Sequence, residues 1–87
     1  MQSSPNIEQE VRRFLKRTFP LGIDMSVLET EDSLLDAGII DSTGVLELVE
    51  FVESRFQINV PDSDLLPENF DSVGNIVRYV TTRIAAR

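Results

Sequence analysis

Cysteine is absent from this 87-residue sequence, which excludes disulfides and thiolate metal sites. Histidine is absent too, and with it the commonest general base and the commonest metal ligand. Any nucleophile here needs activation by another protein. No apolar run approaches the ~20 residues of a membrane span, and the N-terminal residues are polar, without a secretory-leader pattern. No span is expected, and the cytoplasm is the expected compartment. Bases are scarce where acids are dense. Thirteen of the 15 acidic residues lie between Asp24 and Asp71, a stretch holding one base, Arg55. The other bases flank it: Arg12, Arg13, Lys16 and Arg17 before, Arg78, Arg83 and Arg87 after. The formal net charge is −7. A field of this sign repels nucleic acid and speeds encounter with basic protein surfaces.

The length allows one domain, expected over residues 1–87 with a core from about residue 5 to 84. A chain of this size buries only a modest core.

Ser4-Pro5 reads as a helix start, with Ser4 as cap and Pro5 in the first helical position. Ile7, Val11, Phe14 and Leu15 then recur at helical spacing. The first helix is expected from about residue 5 to 18, ended by Pro20 and Gly22. From Pro20 to Ile40 the pattern is irregular, yet it holds nine apolar positions, from Leu21 to Ile40. That is too many for a free linker. The stretch is read as a long loop packed on the core, with a helical turn around Ser33 to Ala37.

Asp41 and Ser42 are both good helix-capping types, because their side-chain oxygens can accept the unpaired N–H groups of a first turn. A helix is expected from about Ser42 to Phe56. At 100° per residue, Val45, Leu48, Val49, Val52 and Phe56 form the inward stripe. Thr43, Glu47, Glu50 and Ser54 fall outward, with Leu46 and Glu53 on one border and Phe51 on the other. The Ser42 hydroxyl then sits at the positive end of a helix dipole, where an anionic group gains roughly 0.3–1 kcal/mol. Ile58-Asn59-Val60 reads as an extended connection. Pro61-Asp62 opens a short helical segment to about Leu66, stopped by Pro67. Phe70 is a core anchor, and Asp71 or Ser72 caps a last helix reaching about Ile84. Its stripe is Val73, Ile76, Val77, Val80 and Ile84.

Three longer helices and one short one make the expected fold all-α, an irregular four-helix bundle with a long first loop. Several chemistries fail. Asp62-Ser63-Asp64 opens like a calcium loop, but Pro67 stands where glycine is needed and Val73 where glutamate is needed. Glu47, Glu50 and Glu53 have no histidine to complete a metal site. Ser42 has no His, Lys or Cys near it in sequence, so a self-contained hydrolytic serine is not expected. No catalytic residue and no metal ligand are assigned.

The run Gly38-Ile39-Ile40-Asp41-Ser42-Thr43-Gly44-Val45-Leu46-Glu47-Leu48-Val49 resembles the attachment segment of acyl carrier proteins and related thiolation domains. The resemblance covers about residues 5 to 84 and implies the same helical bundle. It implies that Ser42 carries 4′-phosphopantetheine, placed there from coenzyme A by a phosphopantetheinyl transferase with Mg²⁺. Acyl or aminoacyl groups then ride as thioesters on that arm, and the chain is a carrier, not an enzyme; nothing in the sequence suggests more than a monomer. Asp41, Thr43, Leu46, Glu47, Glu50 and Glu53 match positions that partners recognise. The implied partners are the transferase, an acyl or aminoacyl adenylating ligase, and downstream acyl-processing enzymes with basic surfaces.

Thr43 stands where fatty-acid carriers usually have leucine, and Gly44 follows it at a helix-propensity cost of up to about 1 kcal/mol relative to Ala. Ser-x-Gly after the aspartate, and Phe70-Asp71 before the last helix, are more similar to D-alanyl carrier proteins and to stand-alone carriers served by discrete ligases. A specialised pathway is therefore expected. Phe51, Phe56 and Phe70 are expected to narrow any interior pocket, favouring small cargo. The alternative is a carrier-like helical interaction domain that is never modified and works by docking alone.

Overall fold

The computed structural model describes residues 6–19 and 27–86. Four α-helices follow one another: α1 (Ile7–Thr18), α2 (Ser42–Phe56), α3 (Pro67–Phe70) and α4 (Val73–Ala86). A 3-10 turn, Asp62–Asp64, precedes α3. The described residues contain no strand, so the architecture is the all-helical bundle, three longer helices and a short one.

α1 starts two residues later than expected. Its cap is Asn6, whose side-chain oxygen accepts from the Gln9 N–H at 3.0 Å. An acceptor directly before the first apolar residue wins the first turn. Ser4, Pro5, Pro20 and Gly22 lie outside the described residues. Val11, Phe14 and Leu15 face the core. Glu8 in the first turn and Lys16 and Arg17 in the last both suit the helix dipole.

α2 runs over the expected span. Leu48, Val49, Val52 and Phe56 are buried and Val45 is half-buried, while Thr43, Glu47, Glu50 and Ser54 are exposed. It ends at Gln57, in the left-handed region at φ 58°. Ile58 and Val60 are buried on either side of exposed Asn59. The segment alternates without pairing, held by the Val60 N–H donating to the Glu53 carboxylate at 2.9 Å.

The short segment differs from its expected form. The 3-10 turn covers only Asp62–Asp64, and Pro67 begins α3 instead of merely ending what precedes it. Proline lacks an N–H, which the first helical position does not need, and its fixed φ suits that position. Ser72, not Asp71, caps α4, its hydroxyl accepting from the Asn75 N–H at 3.0 Å. Val73, Ile76 and Val80 are buried, with Val77 and Ile84 half-buried.

One hydrophobic core joins these faces. Val11, Leu15, Leu34, Leu48, Val52, Val73, Ile76 and Val80 are fully buried in it. The described part of the first loop contributes Leu28, Leu34, Ile39 and Ile40, so it is packed chain, as its composition requires. Polar contacts fasten the loop at both flanks. The Arg12 guanidinium donates to the Leu28 carbonyl at 2.8 Å and pairs with Glu8 at 3.0 Å. The Gly74 N–H, in the first turn of α4, donates to the Thr30 carbonyl at 2.8 Å. Arg78 pairs with Glu31 at 3.1 Å. Between helices, Arg55 of α2 pairs with Glu10 of α1 at 3.0 Å.

Candidate functional site

The site begins with a turn. Gly38 has φ +74°, a left-handed conformation that glycine adopts at no steric cost. The preceding residues form the expected helical turn, with the Ala37 N–H donating to the Ser33 carbonyl at 3.0 Å. Ile39 and Ile40 then plunge into the core, and Asp41 and Ser42 emerge exposed. Asp41 takes the capping role. Its Oδ1 accepts from the Gly44 N–H at 2.7 Å and its carbonyl from the Val45 N–H at 3.0 Å. Ser42 is the first residue of α2, so its hydroxyl stands exposed at the helix N-terminus.

Gly44 is buried in the first turn, and the structure explains what propensity alone counts against it. A Cβ there would stand 2.7 Å from Ile40 Cγ1 and 3.0 Å from Phe19 Cε1. The loop leading to Ser42 and the end of α1 close against bare backbone at this point.

Beside Ser42 lies an apolar groove of about 210 Å³. Leu35 comes from the loop, Val45 and Leu46 from α2, Leu65 and Leu66 from before α3, and Phe70 from its end; Ser42 and Asp71 contribute the polar edges. Leu35, Leu46 and Leu66 keep 37%, 52% and 42% of their surface exposed, so the groove has an apolar rim. Phe70 lines it, but Phe51 and Phe56 do not. Phe51 stacks on Phe14 with ring centres 4.3 Å apart, and Phe56 is buried in the core. The expected three-phenylalanine constriction is therefore a single phenylalanine, because α2 turns the other two toward α1 and the core.

The residues matched to partner recognition separate by what their side chains do. Thr43, Leu46, Glu47 and Glu50 are exposed, and Glu47 and Glu50 form no ion pair among the described residues. Asp41 is exposed but caps α2. Glu53 is half-buried with its carboxylate on Val60. Among the described residues these acids form no cluster that could hold a metal ion.

Sequence reading missed Leu35, Leu66 and Asp71 as parts of one surface. Their spacing along the chain carries no helical period, and only the packing of the loop against α3 brings them together. The Phe70-Asp71 pair was the one available signal.

An exposed serine hydroxyl, a helix N-terminus behind it and an apolar groove beside it fit a phosphate-linked arm. The dipole suits the phosphodiester, and the groove suits the arm's apolar portion. Comparison with known proteins agrees. The family described as a phosphopantetheine attachment site matches residues 10–80, and the chain belongs to it. It is a carrier protein, not an enzyme, and its cofactor is covalent 4′-phosphopantetheine. Similar proteins include the D-alanyl carrier protein of Streptococcus thermophilus, 43% identical over 58 residues, 67% of this chain and 72% of that one. That of Streptococcus sanguinis is 37% identical over 76 residues, 87% and 92% of the two chains. That of Streptococcus pyogenes is 39% identical over 75 residues, 86% and 91%. None of the described helices is long and apolar enough to cross a membrane.

Proposed function

We propose that Ser42 is the attachment residue, and that the chain carries a small acyl or aminoacyl group loaded by an adenylating ligase in a specialised pathway. The supporting observation is the exposed Ser42 hydroxyl in the first position of α2, backed by the Asp41 cap and opening on the apolar groove. When attached, the arm supplies a terminal thiol that holds the cargo as a thioester. The chain's own residues do the rest. Asp41 fixes the first turn, so the serine is presented in one orientation. The N-terminus of α2 favours the negative charge of the linkage. Glu47, Glu50 and Thr43 offer an acidic and polar face to basic partners, which speeds their encounter. Leu46 supplies apolar contact beside it. A tether also raises the local concentration of cargo at each partner's active site.

The relatives named above are D-alanyl carriers, and D-alanine is the favoured cargo on that likeness.

Intact mass tests the attachment. The native chain and Ser42→Ala are incubated with coenzyme A, Mg²⁺ and a broad-specificity phosphopantetheinyl transferase. The native chain gains one phosphopantetheine and Ser42→Ala gains none, with an unchanged helical spectrum because Ser42 is exposed. A native chain that stays at its bare mass, or a variant that still gains the group, would overturn the assignment. The first of those outcomes favours the unmodified docking domain.

A further inference from the structure

Asp71 leaves the capping of α4 to Ser72 and reaches back across 36 to 38 residues of sequence instead. Its Oδ2 accepts from the Ser33 hydroxyl at 2.6 Å, and its Oδ1 from the Leu35 N–H at 2.9 Å. Its carbonyl accepts from the Leu34 N–H at 2.6 Å. One residue therefore grips three successive residues of the first loop.

Those three residues anchor the whole approach to Ser42. The Ile39 N–H donates to the Leu34 carbonyl at 3.0 Å, and the Asp36 N–H to the Ser33 hydroxyl at 3.1 Å. Leu34, Ile39 and Ile40 are buried. The stretch from Ser33 to Ile40 is thus a hydrogen-bonded knot seated on the core, and Asp41 and Ser42 follow it directly. A shift at Leu35 must be carried through a stiff segment to the serine. Leu35 is also a wall of the groove, and Phe70, the neighbour of Asp71, is another. Asp71 lines the groove as well, so the bond from the Leu35 N–H to its carboxylate joins two walls of the groove.

We propose that Asp71 is a positioning residue for the carrier function: by its bonds to Ser33 and Leu35 it fixes where Ser42 stands and how wide the adjoining groove is. This rests on Ser42 as the attachment residue. The latch needs acceptors and shape more than charge. An amide at this position can offer its oxygen to the Leu35 N–H and its N–H to the Ser33 hydroxyl, whose second lone pair serves the Asp36 N–H. Asparagine should therefore restore what alanine loses. A misplaced serine should still be found by a partner through the acidic face of α2, so the loss should fall on turnover and not on recognition.

The test is the rate of phosphopantetheine addition from coenzyme A, followed by intact mass at varied carrier concentration, on native, D71A, D71N, S33A and V80A chains. V80A removes two methyl groups from the buried face of α4 and serves as a destabilised control that leaves the latch intact. D71A should lower kcat about tenfold with KM within about twofold, since a misplacement of 1 Å can cost up to about 10²-fold. S33A should lower kcat about threefold, one of the latch bonds being lost. D71N should recover most of the D71A loss, and V80A should match the native rate while less stable. The proposal is overturned if D71A performs like V80A, if its loss lies wholly in KM, or if D71N is as impaired as D71A. Should D71A fail to fold, S33A at the native rate overturns it equally. Failure of the Ser42 assignment looks different: the native chain itself gains no mass, and the proposal falls with it.

Discussion

The acids of this small protein fall into those that are paired and those that are not. Glu8 pairs with Arg12 within α1, Glu10 ties α1 to Arg55 of α2, and Glu31 ties the loop to Arg78 of α4. Hydrogen bonding to Arg55 and to Arg78 holds the Glu10 and Glu31 carboxyls below the usual carboxylate range. Glu47 and Glu50, on the outer face of α2, have no cation partner among the described residues. The first set spends its charge inside the molecule. The second faces solvent. Some acids are thus held in ion pairs within the molecule, while Glu47 and Glu50 are exposed without one among the described residues.

The helix that carries the unpaired acids depends on close packing at its start. Gly44→Ala removes a helix-propensity cost of about 1 kcal/mol, yet the new Cβ meets Ile40 and Phe19, and overpacking costs about 1–3 kcal/mol. The crowding should win. Urea unfolding should show a net loss of about 1 kcal/mol, the balance of those two terms. A gain in stability would mean that the loop does not close on this turn.

Tyr79→Phe probes a further acid held by an intramolecular bond, Asp64. The Tyr79 hydroxyl donates to Asp64 Oδ2 at 2.6 Å. Burial first, and then that bond to Asp64, push its pKa up to about 12. The unfolded tyrosine ionises near pH 10, so the folded state keeps a proton that the unfolded state has lost. The contribution is complete below about pH 10 and disappears as pH climbs toward about 12. The variant should lose about 1–2 kcal/mol near neutrality, and its stability should fall less steeply than the native protein's above pH 10. Parallel alkaline profiles would remove Tyr79 from this account.

The smallest effect is the cleanest separation of the two acid populations. Glu47→Gln with Glu50→Gln should leave thermal unfolding unchanged and slow association with a basic transferase by about threefold at low salt, an effect that fades as salt rises. Glu10→Gln should do the reverse. Association should hold steady, while the stability that its depressed carboxyl adds above the usual carboxylate range, and loses as pH falls through it, should disappear from the acid profile. If both changes acted alike on the rate, the division between paired and unpaired acids would not hold.

Much of this was legible in the sequence because helices write their faces at a fixed period. The limits of α2, its buried stripe and its acidic outer face follow from Val45, Leu48, Val49, Val52 and Phe56. Asp41-Ser42 marks the helix start in a local pattern that needs no tertiary partner, and the likeness to carrier attachment segments rests on the same residues. The start of α1 was misplaced because Ser4-Pro5 and Asn6 offer competing local signals. Pro67 carries both a stop and a start signal, because a proline ends one turn and opens the next with the same chemistry.

Only the tertiary structure decided the rest. Leu35, Leu46, Leu66 and Phe70 have no common period, and they form one groove because the loop, α2 and α3 meet around Ser42. Gly44 reads as a weakness in an isolated helix and becomes a requirement once Ile40 and Phe19 press against it. Asp71 could cap α4 by its type, but Ser72 is there to do it. Its carboxylate is therefore free to bind Ser33 and Leu35, a pairing set by three-dimensional approach across a chain separation that no local pattern records.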